Sequence, residues 1–161
     1  TVTPRPAPPH AYAETEIAGD LARPFQRGHS TGGPGGWWIL VEAELHLDDD
    51  VLVPDLAGWR RERLATLPQD PAIATPPDWV CEIVSPATAR HDRVRKLPRY
   101  AAHAVSHAWL VDPLARTLEI LRLSEGRWVL IAAHADQEHV RAEPFEAVEL
   151  ALTNWWLPDA P

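Results

Sequence analysis

With 161 residues, 45% of them hydrophobic and 24% charged, the chain has the size and composition of one globular domain with a sizeable core, and residues 1–161 are expected to form that single domain. A net charge of -8 argues against avid, nonspecific adhesion to nucleic acid, which needs Lys and Arg clustered on the phosphates. No apolar run approaches the roughly 20 residues of a membrane helix, Thr1 to Pro9 has no signal-peptide pattern, and Cys81 is the only cysteine, so a soluble, cytoplasmic protein without an internal disulfide is expected.

From Pro9 to about Gly28, Ala13, Ile17, Leu21 and Phe25 recur every four positions, predicting an amphipathic helix of about five turns, ended by the glycine-rich stretch Thr31 to Gly36. Trp37 to Leu47 changes to period two, with Ile39, Val41, Ala43, Leu45 and Leu47 on one face and Leu40, Glu42, Glu44 and His46 on the other, which reads as one strand. Asp48 to Asp50 makes the turn of a hairpin whose second strand, Val51 to about Trp59, is interrupted by Pro54. Arg60 to Pro77 reads as a loop, and the apolar run Asp78 to Val84 as a central strand. Ser85-Pro86 is a helix start, with the helix running towards His103 and disturbed at Pro98. His107 to Asp112, Thr117 to Leu123 and Arg127 to Ala133 follow as a meander, and Trp155-Trp156 in the tail is either a core plug or a partner surface.

Hydrolysis of a phosphodiester with Mg2+ or Mn2+ needs at least two carboxylates on rigid backbone and a cation near the scissile phosphate. Asp55 sits on a strand just after the hairpin turn, where a solvated turn residue is the plain alternative. Glu82 interrupts an apolar strand, and a buried carboxylate demands a partner, either a metal or an Arg. Lys96 is the only lysine among 15 basic residues, so a task for a compact ammonium competes with chance. Around it, Arg90, Arg93, Arg95 and Arg99 make a local basic segment for nucleic acid, or else a solvated helix face, whereas Glu42 to Asp55 holds six carboxylates and no basic residue. Glu42 and Glu44, on the strand expected to pair with Asp55, are outer candidates or simply solvated.

The runs Val53-Pro54-Asp55-Leu56, Asp78 to Thr88 and Asp92 to Leu97, followed by Tyr100 and Trp109 to Pro113, resemble in order and spacing the Uma-type family of restriction-endonuclease-like proteins within the PD-(D/E)xK superfamily. The resemblance runs from about Thr3 to Leu123. It implies a restriction-endonuclease-like α/β core with a mixed central sheet flanked by helices. It also implies a Mg2+- or Mn2+-dependent endonuclease acting on nucleic acid, DNA in the first instance, and a homodimer, to which the eight tryptophans also point. On it, Asp55 and Glu82 are metal ligands, Ile83 offers a backbone carbonyl, and Lys96 is displaced to the helix from the usual strand position, which is Val84 here. The chain departs from the pattern in three places: the family's leading helix and hairpin with a further acidic residue have no counterpart, Ala104 replaces a capping Gly, and Ser106 replaces a Pro. Two rivals remain: a catalytically inactive nuclease-like fold serving as a protein-binding module, and a Zn site built on His46, His107 and the acidic hairpin.

Overall fold

The stripe of Ala13, Ile17, Leu21 and Phe25 is buried in the computed structural model, which describes residues 5–160. The signal-peptide reading of Thr1 to Pro9 therefore lies partly outside the described residues. The stripe folds as α1 (Pro8–Leu21), with prolines in the first turn, where missing N–H groups cost nothing. It continues into a widened π turn at Ala22–Gln26, in which the Arg27 N–H reaches back to the Ala22 carbonyl at 3.0 Å. Pro24 accounts for the widening, because it has no N–H to donate and its ring crowds the carbonyl one turn earlier. One further turn, α2 (Gly28–Thr31), ends the element at Gly32 in the left-handed conformation.

The single strand expected over Trp37 to Leu47 is corrected to two, β1 (Trp37–Val41) and β2 (Glu44–Leu47). Glu42 takes a φ of +50° and bends the chain between them. The bend also reverses the faces, since Ile39 enters one core, Ala43, Leu45 and Leu47 enter another, and Val41 stays exposed. Next come β3 (Asp50–Leu52), β4 (Leu56–Arg60), β5 (Ala72–Ile73) and β6 (Trp79–Ile83). The small sheet β3-β2-β5 is separate from the main one.

The helix expected from Ser85-Pro86 begins later. Ser85 caps a turn, its carbonyl accepting the N–H groups of Thr88 and Ala89, before α3 (Ala89–His91), a second π turn (Asp92–Lys96) and α4 (Leu97–Ala102). Pro98 is the counterpart of Pro24: it cannot donate to the Val94 carbonyl, and the turn just before it widens. The meander follows as β7 (His107–Asp112), β8 (Thr117–Ser124) and β9 (Arg127–Ala135), then the short pair β10 (His139–Val140) and β11 (Leu150–Ala151), and a 3-10 turn at Leu152–Trp155.

The main sheet has the order β1-β4-β6-β7-β8-β9, with β6 and β7 parallel and the other neighbours antiparallel. Strand alternation divides its side chains between two cores. Leu56, Trp79, Cys81, Ile83, Trp109 and Val111 face α1 and the C-terminal segment, whereas Ala57, Trp59, Val80, Val84, Ala108 and Leu110 face α4 and the small sheet. The tail is a core plug: Trp155 is fully buried against Trp109 and donates its indole N–H to Asp20 at 2.8 Å. Six of the eight tryptophans are buried, and the half-buried Trp38 and Trp128 give their indole N–H groups to Leu64 and Leu97 carbonyls. Most of the tryptophan surface is therefore used within the fold. No helix among the described residues is long and apolar enough to cross a membrane.

Candidate active site

Where β4 stops pairing with β6, at Leu56 opposite Cys81, the same register carried one step further sets Asp55 across from Glu82. The next donor of β6, the Ile83 N–H, finds no strand partner there and is taken by Asp55 Oδ2 at 2.7 Å. This bond ends the ladder and fixes the carboxylate at the rim of the sheet. Asp55 Oδ1 meets His10 Nε2 at 2.9 Å, from the first turn of α1.

Glu82 is 1% exposed on the face that packs against α4. Its Oε2 accepts from Lys96 Nζ at 2.8 Å and its Oε1 from the Tyr100 hydroxyl at 3.1 Å. Lys96 Nζ also donates to the Val53 carbonyl at 3.3 Å and lies 3.8 Å from Asp92. One ammonium thus ties the π turn to both the central strand and the acidic hairpin. Asp55, Glu82 and Lys96 are brought to one end of the sheet, where both layers reach it.

Glu42 bounds the same place, its N–H donating to the Asp55 carbonyl at 2.9 Å and its side chain lining a cavity of about 480 Å3 with His10 and Asp55. Glu44 lies in the small sheet, exposed and paired with His46 at 3.0 Å, so it is not brought to Asp55. Ile83 meets the site through its amide. Of the basic segment, Arg93 pairs with Glu119, Arg99 lies 3.6 Å from Asp50, and Arg90 and Arg95 are exposed with no ion pair among the described residues. His46 and His107 belong to different sheets, and His107 pairs with Glu143 at 2.7 Å, so the Zn arrangement does not form.

Burial of carboxylates dominates the electrostatics, and their crowding adds to it. Burial pushes Glu82 up to about 8, against the pull of Lys96 and with Asp55 adding to the rise. Burial also takes Glu14 up to about 7, reinforced by Asp55 and Glu42. Asp92 rises by burial as well. Burial would lower Lys96, but Glu82 leads the carboxylates that outweigh it, and its affinity for a proton rises. The Asp55 hydrogen bond likewise raises His10.

This excess is the basis for judging whether a divalent cation fits. Around Glu14, Glu42, Asp55 and Glu82 the cations in contact are His10 and Lys96, with Arg5 lining the same cavity, and among the described residues Glu14 Oε1 is buried without a hydrogen-bond partner. An oxygen-rich set short of positive charge suits a hard divalent ion. Among the described residues no three His, Cys, Asp or Glu side chains already converge on one point, and His10 and Lys96 are paired with Asp55 and Glu82. The donor chemistry fits; binding requires these pairs to open.

Sequence reasoning passed over His10 and Glu14. Both lie one turn apart on α1, beside the stripe of Ala13 and Ile17, so a polar i, i+4 pair flanking an apolar face was the available signal.

A mixed sheet carrying two carboxylates and a lysine at one end defines a restriction-endonuclease-like core. The chain belongs to the Uma2 family, whose model, described as "Putative restriction endonuclease", matches residues 1–153. Among solved structures it is similar to one from Anabaena variabilis described as "a putative nuclease belonging to DUF820", with a TM-score of 0.75 and 18% identity over 98% of this chain and 87% of that one. At that identity the likeness is one of fold. No curated protein matches the chain.

Proposed function

We propose that the chain is a metal-dependent endonuclease that hydrolyses phosphodiester bonds of DNA with Mg2+ or Mn2+. The observation that carries this reading is the meeting of Asp55, Glu82 and Lys96 at one end of the sheet, two acids and the chain's lone lysine. Membership of the Uma2 family supports it.

A divalent ion supplies Lewis acidity towards the phosphate and the attacking water. Asp55 and Glu82 would hold it, with the Ile83 carbonyl as a backbone donor and Glu42 at the outer rim. Lys96, kept protonated by Glu82 and Asp92, offers positive charge to the phosphate as its negative charge grows in the transition state. It is suited to that task rather than to acting as a base. Arg90 and Arg95 are free to meet the nucleic-acid backbone, while Arg93 and Arg99 must first exchange Glu119 and Asp50 for phosphate. The family resemblance adds a homodimer as the working unit, which light scattering of the free chain tests.

The direct test is nicking of supercoiled plasmid by the wild type and by Glu82→Ala with Mn2+ or Mg2+. Activity that needs the metal and disappears with Glu82→Ala supports the reading. A chain that binds Mn2+ yet cuts neither DNA nor RNA favours the alternative, a nuclease-like fold that serves as a protein-binding module.

A further inference from the structure

The imidazole of His10 stands where a second protein donor to a cation on Asp55 would stand. The apolar stripe of Ala13, Ile17 and Leu21 clamps α1 on the sheet, so His10, on its first turn, is delivered to the sheet's rim by a rigid element. Of the two Asp55 oxygens, Oδ2 is committed to the Ile83 N–H at 2.7 Å and Oδ1 faces His10 Nε2 at 2.9 Å. A cation arriving at Asp55 through the adjoining cavity, which both side chains line, therefore comes to the edge between Oδ1 and Nε2.

The spacing of that edge is close to what coordination needs once the His10–Asp55 pair gives up its proton and the ring turns its nitrogen lone pair from Oδ1 towards the ion. With bonds of about 2.1 Å, two neighbouring ligands of an octahedral ion lie about 3.0 Å apart. The observed 2.9 Å thus lets an ion replace the proton now shared between nitrogen and oxygen. The imidazole ring changes the preference of the site as well, since nitrogen ligands suit Mn2+ and later transition ions better than Mg2+, which prefers oxygen and water.

We propose that His10 Nε2 is a direct ligand of the cation held by Asp55, and that it biases the site towards Mn2+ over Mg2+. The inference rests on the metal-nuclease reading and adds a nitrogen donor to it.

Pulsed electron paramagnetic resonance of the full chain loaded with Mn2+ alone reads the ligand directly. The wild type is expected to show modulation from a coordinated 14N nucleus, converted to the 15N pattern when only its histidines are labelled. His10→Gln, which keeps a hydrogen-bond donor, is expected to lose the signal and to weaken Mn2+ binding about tenfold or more by calorimetry, with Mg2+ binding changed less than about threefold. The labelled wild-type spectrum shows without any variant whether a histidine coordinates the ion, and His10→Asn assigns the signal should His10→Gln fold poorly. Mn2+ bound with no nitrogen modulation, or with modulation that survives in folded His10→Gln, overturns the inference and leaves the nuclease reading standing if plasmid is still nicked. Failure to bind either ion at millimolar concentration removes the metal reading and the inference with it.

Discussion

Lys96 lies 2.8 Å from Glu82 although fourteen residues separate them in the chain. A straight helix leaving β6 would carry the lysine away from the strand at about 1.5 Å per residue. The turn at Ser85 to Thr88 and the widened turn at Asp92–Lys96 return it instead. Nζ then bridges Glu82 and the Val53 carbonyl, a geometry set for one compact ammonium. Lys96→Arg retains charge but replaces the point donor with a broad planar one, so plasmid nicking is expected to fall tenfold or more, about 1.4 kcal/mol, at unchanged circular dichroism. Lys96→Ala should fall at least as far. If Glu82→Ala abolishes nicking while Lys96→Ala leaves it whole, the metal nuclease survives and the role of Lys96 does not.

Glu14 makes the metal-free fold sensitive to pH. Its folded carboxyl is raised to about 7, first by burial and then by Asp55 and Glu42, from an ordinary value of 4.5. The folded state therefore holds a proton more tightly than the unfolded state between these values, and stability falls as pH rises through that window. Glu14→Gln, which cannot ionise, should gain about 1 kcal/mol over the wild type at pH 8 in EDTA and little or nothing at pH 4, the figure being kept small because the side chain is only half-buried. Urea unfolding at the two pH values checks this. An equal difference at both would place the effect in packing and not in charge.

The strands were legible because alternation and apolar runs are local signals: Trp79–Ile83 and the meander stand close to where periodicity put them. Breaks in regular structure were less so. Glu42 bends β1 away from β2 with a positive φ that no glycine or proline marks, and the widened turns near Pro24 and Pro98 let the helices absorb prolines that otherwise read as ends or kinks. At the site, Asp55, Glu82 and Lys96 could be named from unusual residue types in apolar or basic surroundings. His10 and Glu14 could not, because their meaning lies in what α1 packs beside, and Asp55 is 45 residues from His10.

Trp155 tests the core-plug assignment of the tail. Its ring is fully buried, stacked 6.1 Å from Trp109, and its indole N–H is the donor to Asp20, whose carboxyl is raised by burial. Trp155→Ala opens a cavity and strips Asp20 of that donor, so a loss of about 3–5 kcal/mol is expected in urea unfolding. Trp155→Phe, which keeps much of the ring but not the N–H, should lose less. A change within about 0.5 kcal/mol for Trp155→Ala, the level of an ordinary surface substitution, would return this residue to the surface.

Ala104 offers the opposite kind of change, a single substitution expected to stabilise. After α4 the chain closes in a Schellman arrangement, with the Ala104 N–H on the Ala101 carbonyl at 3.0 Å and the Val105 N–H on the Tyr100 carbonyl at 3.0 Å. This geometry demands a left-handed residue, and Ala104 supplies it at a φ of +60°, against the steric preference of any residue with a Cβ. The strain sits directly beyond the helix that carries Tyr100, the hydroxyl donor to Glu82, and glycine keeps the backbone bonds of the closure, so relieving the strain leaves that donor in place. Ala104→Gly removes the strain at an exposed position with no side-chain packing to lose, although glycine also loosens the unfolded chain and offsets part of the gain. The net expectation is about 1 kcal/mol of added stability, a rise in Tm of a few degrees for a domain of this size. Nicking by Ala104→Gly should match the wild type within twofold, since the cap touches neither Lys96 nor Asp55. A variant less stable than the wild type would mean that the left-handed turn is held by something other than the helix cap described here.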